Sequence, residues 1–184
     1  MKKQKTKLIL LLFLMHLGLF AQGDKIIARQ GKVSFFSYTS VENIEATNNQ
    51  VVSVIDRQSG EIAVQMLMRA FVFKKALMEE HFNESYVESD TYPKLTFTGT
   101  TDALKNKVLS NSPIFIKGIM DFHGVQKDIE IKTVITNNTD TVVLEGDFNV
   151  NITDFAITIP PLLVPNIAKE IQVMFRFEYT PYEQ

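Results

Sequence analysis

Apolar residues recur at every second position over much of the chain, and this feature constrains its fold more than any other. Residues 171–179 have apolar side chains at odd positions and mostly polar ones between them. Residues 128–136 and 142–152 show the same period. A period of two places successive side chains on opposite faces of a β-strand, so each segment has one buried and one solvated face. The pattern predicts an all-β protein built from antiparallel strands.

Short polar turns connect these segments. The connecting residues are 56–60, 123–124 and 137–140. Turns of this length and composition are typical of hairpins between neighbouring strands. A series of hairpins with one apolar face can bury that face by closing into a barrel, which also removes exposed sheet edges. We therefore predict an up-and-down barrel, with an open two-sheet sandwich as the structural alternative.

Two segments depart from the strand pattern. Residues 73–84 are rich in helix-forming side chains and predict one short helix between two strands. Residues 159–165 contain three prolines, which cannot donate the hydrogen bonds that a central strand needs. This second segment is either a loop packed on one end of the barrel or an apolar lip at the mouth of a cavity.

The first 21 residues have the organisation of a secretory signal peptide. Four lysines precede an apolar run from Leu8 to Phe20, and the small residue Ala21 follows it. The apolar run is too short to span a bilayer comfortably. We predict cleavage after Ala21, a mature domain of residues 22–184, and a periplasmic or secreted location.

Loss of this segment changes the charge of the protein. The full chain has 19 basic and 21 acidic residues, and without the four lysines of the signal segment 15 of the 19 remain. The mature protein then carries a net charge of −6, which argues against nucleic acid as a partner. The chain contains no cysteine, so disulfides, thiol catalysis and cysteine-based metal sites are excluded.

The arrangement of reactive residues does not point to catalysis. The sequence has no nucleophile motif, no phosphate-binding loop and no pair of histidines at the spacing of a metal site. His81 lies on the predicted helix, and His123 precedes Gly124 in a predicted turn, where we expect a structural role. The sequence predicts a protein that is not an enzyme and has no metal or cofactor.

Four stretches of the sequence follow one another in an order that is known from a protein family. Residues 32–35 begin the set as part of a long strand, and residues 81–99 run from the predicted helix through a Tyr-Pro pair into another strand. Residues 123–127 read His-Gly-Val-Gln-Lys, and residues 153–157 read Thr-Asp-Phe-Ala-Ile. Together they resemble the ordered motifs of the YceI-like family, and the resemblance spans roughly residues 25–180.

The resemblance implies a lipocalin-like barrel of eight antiparallel strands with helical insertions, whose interior binds a long polyisoprenoid chain. It also implies an exported protein that is not a catalyst. Two features differ from the common family pattern. Ala156 stands where glycine is usual, and the loop at Pro160-Pro161 has a different form.

The interior of such a barrel is the expected binding site. Eight strands enclose a space that side chains can fill or that can hold one small ligand. The mature domain has 12 Phe and 5 Met residues, and these side chains suit either a pocket for a hydrocarbon or a solid core. The alternation predicts that the interior is lined by Phe35, Met66, Met68, Phe97, Ile116, Met120, Ile131, Phe148, Phe175 and Phe177. If the ligand has a polar head group, the candidate cations are Arg69, Lys74 and Lys75.

We therefore expect an exported protein that holds a polyisoprenoid lipid, a quinone or a similar long-chain amphiphile for transport, storage or sequestration. Transient membrane contact fits this role, and the sequence leaves a monomer and a homodimer both open. The alternative is a structural or interaction protein of the cell envelope, with a filled barrel, that binds a partner through residues 160–165.

Overall fold

The computed structural model describes residues 24–105, 113–137 and 141–182, and the predicted signal peptide lies outside them. The strands within the described residues are β1 (Lys25–Tyr38), β2 (Asn43–Asp56), β3 (Glu61–Leu67), β4 (Val72–Phe73), β5 (Lys94–Thr100), β6 (Pro113–Phe122), β7 (Val125–Asn137), β8 (Val142–Asn151) and β9 (Glu170–Pro181). The α-helix, α1, is Ala76–His81. Short 3₁₀ turns cover Met68–Ala70, Asp102–Lys105, Ile152–Phe155 and Pro161–Asn166.

Eight of these strands form one closed antiparallel sheet. Their order around the barrel is β1-β9-β8-β7-β6-β5-β3-β2, and β2 pairs with β1 to close the ring. β1 therefore pairs with β2 along one edge and with β9 along the other. The two-residue strand β4 pairs only with β2, outside the ring. The predicted all-β, up-and-down barrel of eight strands with one short helix is confirmed, and the two-sheet sandwich is excluded.

The strand registers place the predicted apolar faces inside the barrel. Ile116 of β6 lies opposite Ile131 of β7, and Leu144 of β8 lies opposite Phe177 of β9. All four side chains are buried, whereas Lys117, which follows Ile116 in β6, is exposed. The alternation therefore reflects burial on one face of each strand.

Two glycines lie opposite each other in the paired strands β5 and β6. Gly99 lies opposite Gly118, and a Cβ on Gly118 would be only 2.3 Å from the carbonyl oxygen of Thr98. The same position is 2.7 Å from the ring of Phe97. Glycine is therefore required at Gly118, because a side chain would collide with both the neighbouring backbone and an interior ring.

The end of the barrel that carries the β2–β3 turn is filled by side chains. The residues packed there, each almost fully buried, are Ile55, Ile62, Leu104, Ile135, Leu144 and Tyr179. The Ser53 hydroxyl donates to the carbonyl oxygen of Ala63 at 3.1 Å, which leaves its oxygen to accept from the Tyr179 hydroxyl at 2.7 Å. The largest polar side chain at this closed end is thus hydrogen-bonded as well as buried.

Two insertions surround the opposite end, which we call the open end. Residues 68–93 lie between β3 and β5, and residues 152–169 lie between β8 and β9. The proline-rich part of the second insertion forms the turn Pro161–Asn166, as expected for a segment that cannot be a central strand. Both insertions leave the ring of strands intact because they extend from strand ends.

The helix in the first insertion is shorter than predicted. It begins at Ala76 rather than Phe73, because Val72 and Phe73 pair with Thr47 and Ala46 of β2. A π-helical turn at Phe82–Tyr86 continues α1 to two residues beyond the end of the predicted segment. Within the described ranges, we find no helix of the length and apolar character needed to cross a membrane.

Replacement of the buried tyrosine should alter the pH dependence of stability. At neutral pH, Tyr179→Phe should lower the free energy of unfolding by about 1 kcal/mol through loss of the hydrogen bond to Ser53. Burial raises the pKa of Tyr179 in the folded protein, so above about pH 10 only the unfolded chain ionises there. That ionisation favours unfolding of the parent protein by about 1.4 kcal/mol at about pH 11, and the variant lacks it.

The difference in stability between Tyr179→Phe and the parent should therefore shrink or reverse as the pH rises from 7 to about 11. Urea unfolding followed by circular dichroism at both pH values measures this difference. Tyr38→Phe is the matched control, because the ring of Tyr38 is exposed. A difference that is the same at both pH values would contradict the prediction.

Alanine at position 156, where the family usually has glycine, should lower the stability of the protein. Ala156 has a left-handed backbone with φ of 56° after the turn Ile152–Phe155, and its side chain is exposed. This conformation costs a residue with a Cβ about 1–2 kcal/mol, whereas glycine adds about 0.5–1 kcal/mol of unfolded-chain entropy. Ala156→Gly should therefore raise the free energy of unfolding by about 0.5–1 kcal/mol.

Urea unfolding also checks this second variant. Ala103→Gly is the control, since Ala103 lies in another 3₁₀ turn and does not have a positive φ. The control should be destabilised by about 0.5–1 kcal/mol. The explanation from backbone strain is wrong if both substitutions change stability in the same direction.

Candidate functional site

A cavity begins at the open end and continues into the barrel. Its outer part, the upper chamber, has a volume of about 220 Å³. A lower chamber of about 50 Å³ lies further inside. The residues that border both chambers are Val33, Met66, Leu95, Met120, Phe148 and Val173. Because the chambers share these walls, they lie next to each other along the inside of the barrel.

The inward faces of the strands supply most of the wall. In β9, Ile171 and Val173 border the upper chamber, Val173 and Phe175 border the lower one, and Phe177 lies deepest. The alternate residue Met174 is exposed on the outside of the barrel. One strand thus lines the cavity along most of its depth because of its period-two pattern.

Aromatic side chains of the first insertion close one side of the upper chamber. Phe71, Phe73 and Phe82 surround Phe35 of β1, with ring centroids 5.3, 5.8 and 5.5 Å from it. Phe73 and Phe82 also contact each other at 5.0 Å. All four rings border the upper chamber. The contacts are tilted, edge-on or stacked, all of them favourable aromatic geometries. The four rings form an apolar wall on this side of the chamber.

Polar groups lie around the mouth of the upper chamber. The polar residues on its border are Ser37, Glu42, His81, Tyr86 and Asn166. Ser37 Oγ accepts a hydrogen bond from the backbone N–H of Ala168 at 2.9 Å. The Lys75 ammonium donates to Glu42 at 2.7 Å, and this bond lowers the pKa of Glu42, with a smaller effect from Asn166. The carboxylate at the mouth therefore stays ionised.

The structure places all ten predicted interior residues on the cavity surface. Phe35 and Met68 border the upper chamber, Phe97, Ile116, Ile131, Phe175 and Phe177 border the lower chamber, and Met66, Met120 and Phe148 border both. The inward direction expected from alternation is therefore observed. Their contact with a ligand stays a prediction.

Apart from Met68, at the start of the first insertion, sequence reasoning missed the lining residues that lie outside regular strands. Phe71 and Phe82 come from the first insertion, and Leu163 and Ile167 come from the second. A search for period two cannot find them, because their direction depends on how the insertions fold over the open end. The apolar residues between the prolines were the available signal. Of the two alternatives for residues 159–165, the structure shows the lip at a cavity mouth.

The three candidate head-group cations do not border either chamber. Arg69 pairs with Asp90, Lys74 with Glu45 at 3.0 Å and Lys75 with Glu42 at 2.7 Å. Each pair lies on the surface, either within the first insertion or where it meets β2 and the loop between β1 and β2. Lys75 comes closest to the site, through its bond to Glu42 at the mouth. A direct role of these cations in head-group binding stays a prediction.

The segments that resemble known motifs meet beside the upper chamber. The rings of Tyr92 and His123 lie 4.4 Å apart, and His123 Nδ1–H donates to the carbonyl oxygen of Phe155 at 2.9 Å. Phe155 packs on Phe122 at 5.3 Å. Gly124 has φ of 73°, and a Cβ there would lie 2.8 Å from the Tyr92 ring. These contacts join the first insertion, the β6–β7 turn and the second insertion, so the motif residues hold the open end together.

Solved structures share this fold. A polyisoprenoid binding domain from Saccharophagus degradans matches with a TM-score of 0.74 and 14% identity, covering 87% of this chain and 99% of that one. BcnA from Burkholderia cenocepacia matches with a TM-score of 0.69 and 17% identity, covering 80% and 95%. A YCEI protein from Campylobacter jejuni matches with a TM-score of 0.57 and 16% identity, covering 73% of this chain and 81% of that one. No curated protein matches the chain.

The sequence itself also matches a family model. The model describes a YceI-like domain and covers residues 25–179. This range includes the whole closed ring of strands except the last two residues of β9. The resemblance seen in the ordered motifs is thus confirmed over nearly the whole barrel. The chain belongs to the YceI-like family.

Proposed function

We propose that this protein binds a polyisoprenoid or a similar long-chain amphiphile inside its barrel. The observation that carries the proposal is the pair of adjoining apolar chambers inside the barrel. A neighbour with the same fold, from Saccharophagus degradans, is a polyisoprenoid binding domain. Membership of the YceI-like family supports the same function.

The size and chemistry of the cavity support a hydrocarbon ligand. The upper chamber, at about 220 Å³, exceeds an apolar protein cavity of about 150 Å³ that stays dry and binds benzene. Each CH₂ group moved from water onto such walls contributes about 0.8 kcal/mol, although ordering the chain offsets a large part of this. Met66 and Met120 border both chambers, and their flexible side chains allow the narrow junction to adapt to a longer chain.

The head group of such a ligand would lie at the mouth. Glu42, His81 and Asn166 border this region, whereas no lysine or arginine among the described residues borders the upper chamber. A neutral head group that exchanges hydrogen bonds, such as that of a quinone, fits these residues better than a pyrophosphate. Its position would keep the polar groups in contact with water while the chain enters the barrel.

The polar groups of the site support binding without chemistry. Ser37 accepts a backbone hydrogen bond and Glu42 is paired with Lys75, so both already have structural partners. His81 borders the chamber, whereas His123 lies in the β6–β7 turn and donates to Phe155. The interaction protein with a filled barrel is less well supported, because the upper chamber is open.

The cellular part of the proposal concerns export. The signal-like segment of residues 1–21 supports a periplasmic or secreted protein that transports, stores or sequesters its ligand. A protein with such a role would make transient contact with a membrane to exchange ligand. It can act as a monomer, since the cavity is built by one chain, and a homodimer is equally compatible.

A bulky side chain at the junction of the two chambers should block the ligand. Val173→Trp fills space that borders both chambers, and the loss of room for two CH₂ groups alone should weaken binding more than about tenfold. The parent protein, purified from cells and extracted with organic solvent, should yield an isoprenoid or similar lipid by mass spectrometry. The amount recovered per mole should fall at least about tenfold in the variant.

The matched control is Met174→Trp, which places the same side chain one residue further on the outer face of β9. This variant should retain as much lipid as the parent, and circular dichroism should show that both variants are folded. Lipid-free parent protein, or equal loss in the two variants, would overturn the proposed function.

Processing of the N-terminal segment tests the export proposal separately. When the full chain is expressed with its natural N-terminus in a Gram-negative host, the intact mass of the protein from the periplasmic fraction should correspond to residues 22–184. Ala21→Arg should prevent this cleavage, because signal peptidases require a small residue before the cut. The control is Thr6→Arg, which adds the same side chain in the basic region before the apolar run and should leave cleavage unchanged. A protein that keeps residues 1–21 and stays in the cytoplasm would contradict export.

A further inference from the structure

We infer that the rim of the open end docks onto the surface of a lipid bilayer, so that the ligand passes between membrane and cavity without crossing water. This inference rests on the proposed function, because it assigns a partner to the same cavity. The rim is the set of exposed apolar side chains Tyr38, Val41, Val72, Leu77 and Leu162.

The rim contains the most exposed large apolar side chains of the described residues. Their exposed fractions range from 61% for Leu77 to 87% for Leu162, above every other large apolar side chain in that part of the protein. Single exposed apolar residues are common on protein surfaces. Here all five lie at one end of the barrel, around the mouth of an apolar cavity, and such clustering marks an interaction site.

Each rim residue is next in sequence to a residue that borders the upper chamber. The five pairs, with the rim residue first, are Tyr38 and Ser37, Val41 and Glu42, Val72 and Phe73, Leu77 and Met78, and Leu162 and Leu163. The segments around the mouth therefore direct one side chain inward and its neighbour outward. Apolar side chains on the outside of the mouth thus lie beside the residues that border the chamber.

Contacts between the segments make the rim one surface. The loop between β1 and β2 is joined to the first insertion by the bond between Lys75 and Glu42. It is joined to the second insertion by the hydrogen bond from the Ala168 N–H to Ser37. β4 is held to β2 by backbone pairing of Phe73 with Ala46. The outward side chains of these segments can therefore meet a flat surface together.

Two lysines beside the rim are accessible enough to reach the head groups of a membrane. The side chain of Lys74 is 82% exposed against 37% for its partner Glu45, and that of Lys75 is 66% exposed against 28% for Glu42. In both pairs the lysine is the more accessible member. A lysine next to apolar groups can bury its stem and hold its ammonium at the level of the lipid head groups. Tyr38 adds an amphipathic ring of the kind enriched at this level.

A bilayer explains the position of the rim better than another protein does. The ligand of the proposed function is insoluble in water, so it must leave and enter an apolar phase through this mouth. A rim that contacts the bilayer excludes water from the transfer path. A second copy of the chain bound to the rim would instead cover the mouth and block the passage of the ligand.

The test compares a rim variant with a matched surface variant. The rim variant is Leu77→Ser with Leu162→Ser, and neither residue borders a chamber. The matched variant is Phe115→Ser with Ile119→Ser, two exposed apolar residues on the outer face of β6. Flotation with vesicles of phosphatidylcholine and phosphatidylglycerol measures membrane binding. Fluorescence of a dansyl-labelled isoprenoid alcohol measures cavity binding and the rate of transfer from vesicles.

The rim variant should bind vesicles about tenfold more weakly than the parent and acquire the probe from vesicles more slowly by a similar factor. Its affinity for the probe in solution should equal that of the parent, and the β6 variant should match the parent in all three measurements. A parent protein that does not float, a rim variant that floats normally, or equal losses in both variants would overturn the inference.

Two further outcomes separate this inference from the others. Light scattering that shows a dimer of the parent and a monomer of the rim variant, without flotation of either, would mean that a second copy covers the rim and that the inference is wrong. Rim-dependent flotation of a parent protein that binds no probe would support the docking surface and contradict the proposed ligand instead.

Discussion

The backbone pairing of β1 with both β2 and β9 is the interaction on which the rest of this structure depends. It closes a meander of eight strands into a ring, so the paired backbone groups of these strands do not end in two long exposed edges. Closure also fixes the circumference of the barrel, and eight strands enclose about as much space as side chains can fill. Any shortage of large side chains then remains as a cavity, because the ring cannot collapse further.

The two ends of the barrel differ in how this space is used. At the closed end, Leu104 and Tyr179 complete the core and the tyrosine hydroxyl finds a partner in Ser53. At the open end, the two insertions stand around the mouth instead of filling the ring. The contacts among Tyr92, His123 and Phe155 join these insertions to the β6–β7 turn. These contacts thus hold the segments around the opening together.

Much of the site could be predicted from the strands and little of it from the insertions. Residues such as Met120 and Phe148 were found because a strand fixes the direction of alternate side chains once one face is buried. Phe82 and Leu163 were not found, because a helix or turn can pack either face against the barrel. The head-group cations were chosen by their place in the sequence, yet Arg69 and Lys74 pair with Asp90 and Glu45 at the surface. Which carboxylate lies near a lysine is decided by the fold and not by local sequence.

The sequence by itself determined the all-β class, the hairpin connections and the inward faces of the strands, because these follow from local periodicity and short turns. The ordered motifs indicated the family and, through it, the barrel. Only the tertiary structure decided that the barrel is filled at one end and hollow at the other. It also decided that Leu77 and Leu162, about 85 residues apart in the chain, belong to one surface around the mouth. The physical reason is that the cavity and the rim are each built from segments that lie far apart in the sequence. Their form depends on the closure of the barrel, which brings those segments together.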